Sequence, residues 1–298
     1  MNNTRFSILA AGRIASFAVV YTILGLLIPI QGFLTLGFAI GTGIVGILYG
    51  ITLYYLNVNM PLRRRTRMLI TWFALYVIQM LNPVLEGIFF TTQFMGQPEL
   101  ALGAVVFGLI LTLPTAIAAS YLFNPVGDFR SFGDMRREYF AGWPSSQYAI
   151  RFVIASMLWL AIYFIIGSII APLVLPYYTD GSVGYNLTLP SIEIVILLQT
   201  VRGFIYAISF LPIVISTNLD KKKLALIMVG LLYVAGALAV FVISEQFPVF
   251  LRLIHGIELF VDSLIAGIVM AYVLGGERHP VDENLELIEQ VELLEQIA

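Results

Sequence analysis

The residues best suited to chemistry in this sequence lie in the stretch RLIHGIELFVDS, residues 252–263. This stretch sits inside an apolar run that is long enough to cross a membrane. On an α-helix, His255, Glu258 and Asp262 fall within about 60° of one another, and they form one stripe that Arg252 adjoins. A stripe of acidic, basic and imidazole groups could bind a proton or a cation, or act in acid–base catalysis.

Two other apolar segments carry polar stripes with i, i+3, i+7 spacing, which is one face of a helix. Their members are Gln79, Asn82 and Glu86 in one segment, and Gln199, Arg202 and Tyr206 in the other. All three stripes therefore provide candidate residues for a site that binds a substrate or an ion.

Glycine and proline beside these stripes indicate close or irregular packing of the helices. Gly87, Gly203 and Gly256 each directly follow an ionisable residue, and glycine lets helices approach closely in a bilayer. Pro83 has no N–H group, so it predicts a kinked helix with unsatisfied carbonyls about one turn before Glu86.

The estimated depths of the charged groups place most of them near one level. With a rise of 1.5 Å per residue, Glu86, Arg202 and Glu258 lie about 12, 16 and 15 Å from the predicted outer ends of their helices. On the same basis His255 lies at about 11 Å and Asp262 at about 21 Å. A charge at the centre of a lipid-facing helix costs about 2.5–3.5 kcal/mol. We therefore expect the three helices to converge and Arg202 to pair with Glu86 or Glu258.

The composition indicates that most of the chain lies in lipid. Of the 298 residues, 59% are apolar and 11% are charged, whereas about 25% are charged in soluble proteins. Cysteine is absent, which excludes disulfides, thiolate metal ligands and thiol catalysis. Apolar runs of roughly 20 residues predict eight transmembrane helices. They cover residues 9–30, 33–57, 68–95, 100–123, 149–175, 191–217, 223–243 and 248–275.

The basic residues predict the orientation of these helices. Fourteen of the sixteen lysines and arginines flank helix ends on one side, and the other two are Arg202 and Arg252. Positive residues favour the cytoplasmic side, so both termini are predicted to be cytoplasmic. The first run lacks a convincing cleavage site and is interpreted as an uncleaved span. We expect an all-α polytopic protein of a bacterial or archaeal plasma membrane, with a transmembrane bundle over 1–278 and an acidic tail over 279–298.

Two segments outside the predicted spans have distinctive compositions. Residues 124–148 mix aromatic residues with arginines, which is typical of a segment on the inner membrane surface. A lid over a substrate site is the alternative interpretation of this segment. Residues 282–298 place Leu287, Val291 and Leu294 among glutamates and predict a short amphipathic helix. Anionic lipid repels such a helix. Binding of a protein partner or self-association is one interpretation of this tail, and a solvated helix is the other.

The sequence favours a transporter or permease-like protein. In this hypothesis Glu86 and Glu258 bind a proton or a cation, Arg202 supplies a counter-charge and His255 tunes the network. A non-catalytic subunit or scaffold of a larger complex is the alternative, with the cluster only holding helices together. The third hypothesis is an intramembrane enzyme that uses His255 with a carboxylate as acid and base. It has less support, because no H-E-x-x-H, G-x-S-x-G or glycine-rich nucleotide motif is present.

Cofactors and nucleic acid are not predicted. Zinc sites generally use two or more histidines or thiolates, and one histidine, His255, lies within the predicted spans. The basic clusters are those that membrane orientation requires. The bilayer is therefore the partner that the sequence predicts throughout.

Overall fold

The computed structural model describes residues 3–27, 36–90, 98–179, 188–217, 219–238 and 248–276. Within these ranges the regular structure is helical and strands are absent, which confirms the all-α prediction. The α-helices are α1 Asn3–Leu26, α2 Leu36–Val58, α3 Arg64–Leu75, α4 Asn82–Phe90, α5 Pro98–Leu122, α6 Phe132–Ala141, α7 Ser145–Thr179, α8 Ile192–Ser216, α9 Lys221–Gly230 and α10 Val249–Leu274. Two π-helical segments, Tyr76–Leu81 and Leu231–Leu238, join α3 to α4 and extend α9.

Within the described ranges, seven helical stretches are long and apolar enough to cross a membrane. They are Ile8–Leu26, Leu36–Val58, Arg64–Phe90, Glu99–Leu122, Ser145–Tyr178, Ile192–Ser216 and Val249–Leu274. These stretches correspond to seven of the eight predicted spans. The described part of the chain is therefore all-helical, with the architecture of an integral membrane protein.

The predicted span over 223–243 is described only in part. Its described portion, Lys221–Leu238, is eighteen residues of continuous helix that begins with three lysines. Eighteen residues advance about 27 Å, slightly less than the roughly 30 Å of a bilayer core. Residues 239–243 lie outside the described part of the chain, so the eighth span stays a prediction.

The segment formed by α9 and its π-helical extension packs antiparallel to α10. Lys221 Nζ lies 6.0 Å from the ring centroid of Tyr272, and the rings of Tyr233 and Phe260 are 5.1 Å apart. In these two contacts, the higher residue number of the α9 segment is paired with the lower residue number of α10, so the two helices run in opposite directions. By extrapolation, Leu238 reaches the level of about residue 255 on α10.

The apolar core lies along the centre of the bundle. Tyr49 of α2, Phe210 of α8 and Leu231 are fully buried there. The outward face of α7 exposes Ile165 and Ile169, as a lipid-facing surface requires. Apolar side chains therefore occupy both the core and the exposed faces, as expected for a protein that is surrounded by lipid.

The segment 124–148 contains α6, which packs on the end of the bundle. Tyr139 is buried and donates a hydrogen bond from its hydroxyl to the carbonyl oxygen of Leu274 at 2.7 Å. Tyr139 therefore contacts protein rather than lipid. Phe129 and Phe140 are exposed and remain available as membrane anchors. The location of this segment on the inner membrane surface stays a prediction.

Among the described residues, the basic segments before α3, around α6 and at the start of α9 lie at one end of the bundle. The backbone N–H of Arg130 donates to the carbonyl oxygen of Pro61 at 2.7 Å, joining the α5–α6 connection to the α2–α3 loop. The Tyr139–Leu274 hydrogen bond and the Lys221–Tyr272 contact add the end of α10 and the start of α9. The predicted tail helix lies outside the described residues.

Candidate functional site

The helix that carries Asn82 and Glu86 has an irregular hydrogen-bonding pattern where it approaches the site. Because Pro83 has no N–H group, it cannot continue the α-helical ladder. The preceding turn is π-helical, and the backbone N–H of Asn82 donates to the carbonyl oxygen of Val77. Asn82 Nδ2 lies 3.4 Å from the same oxygen. The kink predicted from Pro83 stays a prediction, and the irregularity that the structure describes before it is a π-helical widening, a feature that is frequent at functional sites.

Arg202 of α8 is the centre of the polar cluster. Its side chain is 5% exposed, and its Nη1 atom lies 2.8 Å from Oε1 of Glu86. The guanidinium also donates from Nη1 to Oε1 of Gln199 at 3.0 Å and from Nε to Oδ1 of Asn82 at 3.4 Å. The predicted pairing of Arg202 with a carboxylate is therefore confirmed, and the partner is Glu86. The pair neutralises two charges that would be costly in lipid.

Helix α7 contributes side chains that the sequence analysis did not single out. Trp159 Nε1 donates a hydrogen bond to Oε1 of Gln199 at 3.0 Å. Arg202 Cζ lies 5.5 Å from the Trp159 ring centroid, within cation–π distance. The Trp159 ring is also 4.6 Å from that of Tyr206, which shares a side-chain hydrogen bond with Arg202. An indole therefore forms one wall around the buried guanidinium.

The same face of α7 leads from Arg202 to the acidic side chains of α10. Trp159, Tyr163 and Gly167 follow i, i+4, i+8 spacing and span about 12 Å. A Cβ atom placed on Gly167 would lie 3.9 Å from Oε1 of Glu258. The charges of Glu86 and Glu258 both act on the hydroxyl of Tyr163. The tryptophan, tyrosine and glycine spacing is the sequence signal that could have identified this face.

Helix α10 carries a hydrogen-bonded histidine–carboxylate pair and a buried acid. His255 Nδ1 lies 2.6 Å from Oε2 of Glu258. Asp262, one turn further along the helix, is 3% exposed. Among the described residues, its Oδ1 atom has no hydrogen-bond partner. The charges of Glu258, Glu86, Arg202 and His255 all act on Asp262, so this residue belongs to the cluster.

The exposed atoms of the cluster lie at one end. The side chains of Glu86 and His255 are 34% and 36% exposed, whereas that of Glu258 is 11% exposed. Glu86 lies one turn before the end of α4, and His255 lies near the start of α10. The cluster thus has an exposed rim formed by one acid and one imidazole, and a buried interior that contains Asp262.

Gln79 has a different environment from the rest of its stripe. Its Oε1 atom accepts a hydrogen bond from the hydroxyl of Tyr49 at 3.3 Å, and Gln79 also bonds to Tyr21. Gln79 therefore faces α1 and α2, whereas Asn82 and Glu86 reach Arg202. The π-helical turn between these residues changes the angular relation that was assumed for a regular helix.

The expectation that glycine allows close helix contacts is confirmed at Gly203, whereas at Gly256 the described residues make no such contact and it stays a prediction. A Cβ atom on Gly203 would overlap the carbonyl oxygen of Ser156 and lie 3.0 Å from Cβ of Trp159. No atom of the described structure lies within 4 Å of a Cβ built on Gly256. Close packing at the site is therefore a property of the contact between α7 and α8.

A surface depression of about 450 Å³ lies away from this cluster, lined in part by Val58, Pro61, Val126 and Arg130. It is located at the end of the bundle where α2 finishes, and none of the cluster residues lines it. Within the described ranges, no group of three histidine, aspartate or glutamate side chains is arranged to hold a metal ion. The charged cluster is accordingly the candidate site.

Comparisons with known proteins do not assign a function to this cluster. No family model, curated protein or solved structure matches the chain. The interpretation of the cluster therefore rests on its own contacts, burial and charge.

Proposed function

We propose that the chain is a small membrane transporter whose polar cluster binds a proton or a small cation. The cluster is formed by side chains of α4, α7, α8 and α10. Its carboxylates belong to Glu86, Glu258 and Asp262, and they face one guanidinium, Arg202, and one imidazole, His255. With all three acids ionised, at least one negative charge stays unbalanced, even when the imidazole is protonated. A cation or a proton would remove this imbalance.

The observation that carries the proposal is the buried oxygen of Asp262 without a hydrogen-bond partner among the described residues. A network that only fixed helices in place would pair its buried charges, because an unsatisfied buried polar atom costs about 1–3 kcal/mol, and more when it is charged. Asp262 is instead available to accept a proton or to ligate a cation. Glu258 lies one turn away and provides a second carboxylate for the same ion.

The remaining residues have distinct roles in this proposal. His255 lies on the exposed rim and exchanges the ion with the adjoining aqueous phase, and Glu258, which contacts His255, passes it inward. Asp262 receives the ion in the interior. Arg202 stays bound to Glu86 and holds α4 against α8. Irregular helices beside midplane charges are typical of transporters, and the π-helical turn before Asn82 is such a feature.

Charge movement in proteoliposomes on a solid-supported membrane tests the proposal. The protein is exposed to a pH jump and, separately, to a sodium concentration jump. We expect a transient current with wild type and at least a tenfold smaller one with Asp262→Asn and Glu258→Gln. Glu193→Gln is the matched control, because Glu193 is an exposed carboxylate in the first turn of α8.

Equal currents from all four folded proteins would contradict the proposal. So would the absence of current from wild type in both jumps. Either result would favour a structural cluster, as the scaffold hypothesis requires.

A further inference from the structure

The depression at the basic end of the bundle has a shape that two backbone hydrogen bonds fix. Its lining includes Val58 and Pro61, at and just after the end of α2, and Val126 of the α5–α6 connection. The N–H of Val126 donates to the carbonyl oxygen of Val58 at 3.0 Å, and the N–H of Arg130 donates to that of Pro61 at 2.7 Å. The two walls are therefore joined, and the volume of about 450 Å³ between them is preformed.

The depression carries an apolar patch. Val126 is 62% exposed, and Phe129 of the same connection is 64% exposed. Together with Pro61 they form a surface that the described residues leave uncovered. A partner with apolar side chains of its own would be stabilised by burying this patch.

The rim of the depression is positively charged. Residues 63–65 follow its α2–α3 wall and are three exposed arginines. In the described part of the chain, none of them has a carboxylate within 4 Å. Arg130 in the lining is paired with Glu138, which leaves Asp128 as the acid of the lining that offsets the three arginines. The rim therefore favours an acidic partner.

The segment 282–298 of the same chain has the opposite charge. It contains six of the eighteen acidic residues and none of the sixteen basic ones. Anionic lipid repels such a segment, whereas the exposed arginines of the rim attract it. The chain thus supplies both an acidic tail and a basic surface that suits it.

The spacing of residues in the tail suits a helix with one binding face. On an α-helix, Leu287, Val291 and Leu294 form an apolar stripe about 60° wide. Glu286 and Glu295 flank this stripe at about 70–110° on either side. A helix of this sequence can bury the stripe on the apolar patch and bring both glutamates to the arginine rim.

The tail begins close enough to reach the depression. A Cβ atom on Gly276 would lie 3.5 Å from the ring of Tyr139. Glu138, the neighbour of Tyr139, pairs with Arg130 in the lining. The tail therefore begins two side-chain contacts away from the depression. The ten residues 277–286 span up to about 33 Å when extended, which is ample for this distance.

We propose that residues 282–298 dock in this depression of their own chain, with the apolar stripe on the apolar patch and the two flanking glutamates at the arginine rim. The short connection keeps the tail at an effective concentration on the order of millimolar, so docking requires little intrinsic affinity. Because the contact depends on charge, high salt releases the tail. This surface is separate from the cluster around Arg202 and does not depend on its proposed function.

The distance between two spin labels on the full-length protein tests this inference. Because the chain has no cysteine, the labels are attached through Asn124→Cys, which is exposed beside the depression, and Gln296→Cys, which lies opposite the apolar stripe on a helix. Distances are recorded in phosphatidylcholine liposomes, with and without an excess of unlabelled protein. The measurement is repeated in about 1 M sodium chloride, where charges are screened beyond about 3 Å.

We expect the doubly labelled parent to show a narrow, short distance that broadens in high salt and persists with unlabelled protein in excess. Glu286→Gln combined with Glu295→Gln should lower the docked fraction roughly threefold or more, because two ion pairs are lost. Glu289→Gln combined with Glu292→Gln is the matched control, since it makes the same charge change away from the stripe and should leave docking unchanged.

The bundle side is tested by Arg63→Gln combined with Arg65→Gln, which should lower the docked fraction in the same way. Lys222→Gln, which removes an exposed cation at the start of α9, is its control. If the arginine variant does not fold, the two tail variants decide, because they leave the bundle unaltered. A broad distance distribution in the parent, equal effects of the two tail variants, or an unchanged docked fraction in the folded arginine variant would overturn the inference. Loss of the short distance with unlabelled protein in excess would also overturn it and would assign the tail to a second copy.

Discussion

Arg202 binds two residues of α4 and two of its own helix, and of these only Glu86 carries a charge. Removing Glu86 leaves a buried cation, whereas removing Arg202 leaves an acid that is about one-third exposed. We expect Glu86→Gln and Arg202→Gln each to lower the free energy of unfolding by about 1–3 kcal/mol, less than for a fully buried pair. The double variant should lose about 1–3 kcal/mol less than the sum of the single losses.

Unfolding of these variants by titration with sodium dodecyl sulfate measures the coupling between Glu86 and Arg202. Glu193→Gln serves as control and should unfold like wild type. Strictly additive losses in the double variant would show that the two side chains do not stabilise each other.

For individual residues, the sequence predicted that the charged side chains of separate helices lie close together, because each of them would be costly in lipid without a partner. It could not choose between Glu86 and Glu258 as the partner of Arg202, since that choice depends on the rotation and relative height of the helices. Trp159 was not predicted because an indole in an apolar run is indistinguishable by type from a lipid-facing one. Only the fold shows that its N–H meets Gln199.

At the scale of elements, the contact between α7 and α8 depends on Gly203. A methyl group there would overlap the Ser156 carbonyl oxygen, so Gly203→Ala must push the two helices apart. We expect a loss of about 2 kcal/mol or more in the free energy of unfolding, because packed helices accommodate an added methyl group poorly. The Trp159–Gln199 hydrogen bond should weaken at the same time.

Gly256→Ala is the matched control for the glycine prediction. No described atom lies near the added methyl group, and alanine favours helix by up to about 1 kcal/mol. This variant should therefore be as stable as wild type or slightly more stable. The measurement is again the unfolding titration, and equal losses for the two alanine variants would refute the packing argument.

The end of α10 is stabilised by a hydrogen bond that the hydroxyl of Tyr139 donates to the carbonyl oxygen of Leu274. Tyr139→Phe keeps the ring and removes this hydrogen bond, which should cost about 1–2 kcal/mol. Hydrogen exchange should become faster in the last turn of α10, and the control Tyr55→Phe, whose residue is 53% exposed, should leave it unchanged. Identical exchange in the two variants would mean that the hydroxyl does not hold this helix end.

Apolar runs predicted the helices well and their ends less well, for a physical reason. The run over 149–175 became the longer helix Ser145–Thr179, and the run over 68–95 belongs to a helix that already starts at Arg64. An apolar run reports where lipid surrounds the chain, whereas a helix continues into the polar interface as long as its hydrogen bonds continue. The π-helical turn before Pro83 depends on tertiary packing as well as on the missing N–H, so the sequence indicated an irregularity without its form.

For the whole molecule, the number of crossings depends on the segment Lys221–Leu238. It runs antiparallel to α10 and reaches the level of about residue 255, six residues or about 9 Å from the start of α10 at Val249. A helical continuation over the nine residues 239–247 would advance about 13 Å. This length would return the chain to the start of α10, which supports our prediction of eight spans with both termini on one side.

Labelling of single cysteines tests this topology directly, because the chain has no cysteine of its own. We expect a membrane-impermeant maleimide to label Glu193→Cys and Val249→Cys on intact cells, since both positions are exposed and lie at predicted outer helix ends. Arg136→Cys and Lys222→Cys should be labelled only after permeabilisation. Labelling of Val249→Cys and Lys222→Cys from the same side would mean that the segment between them turns back within the bilayer. The count would then be seven, and the termini would lie on opposite sides.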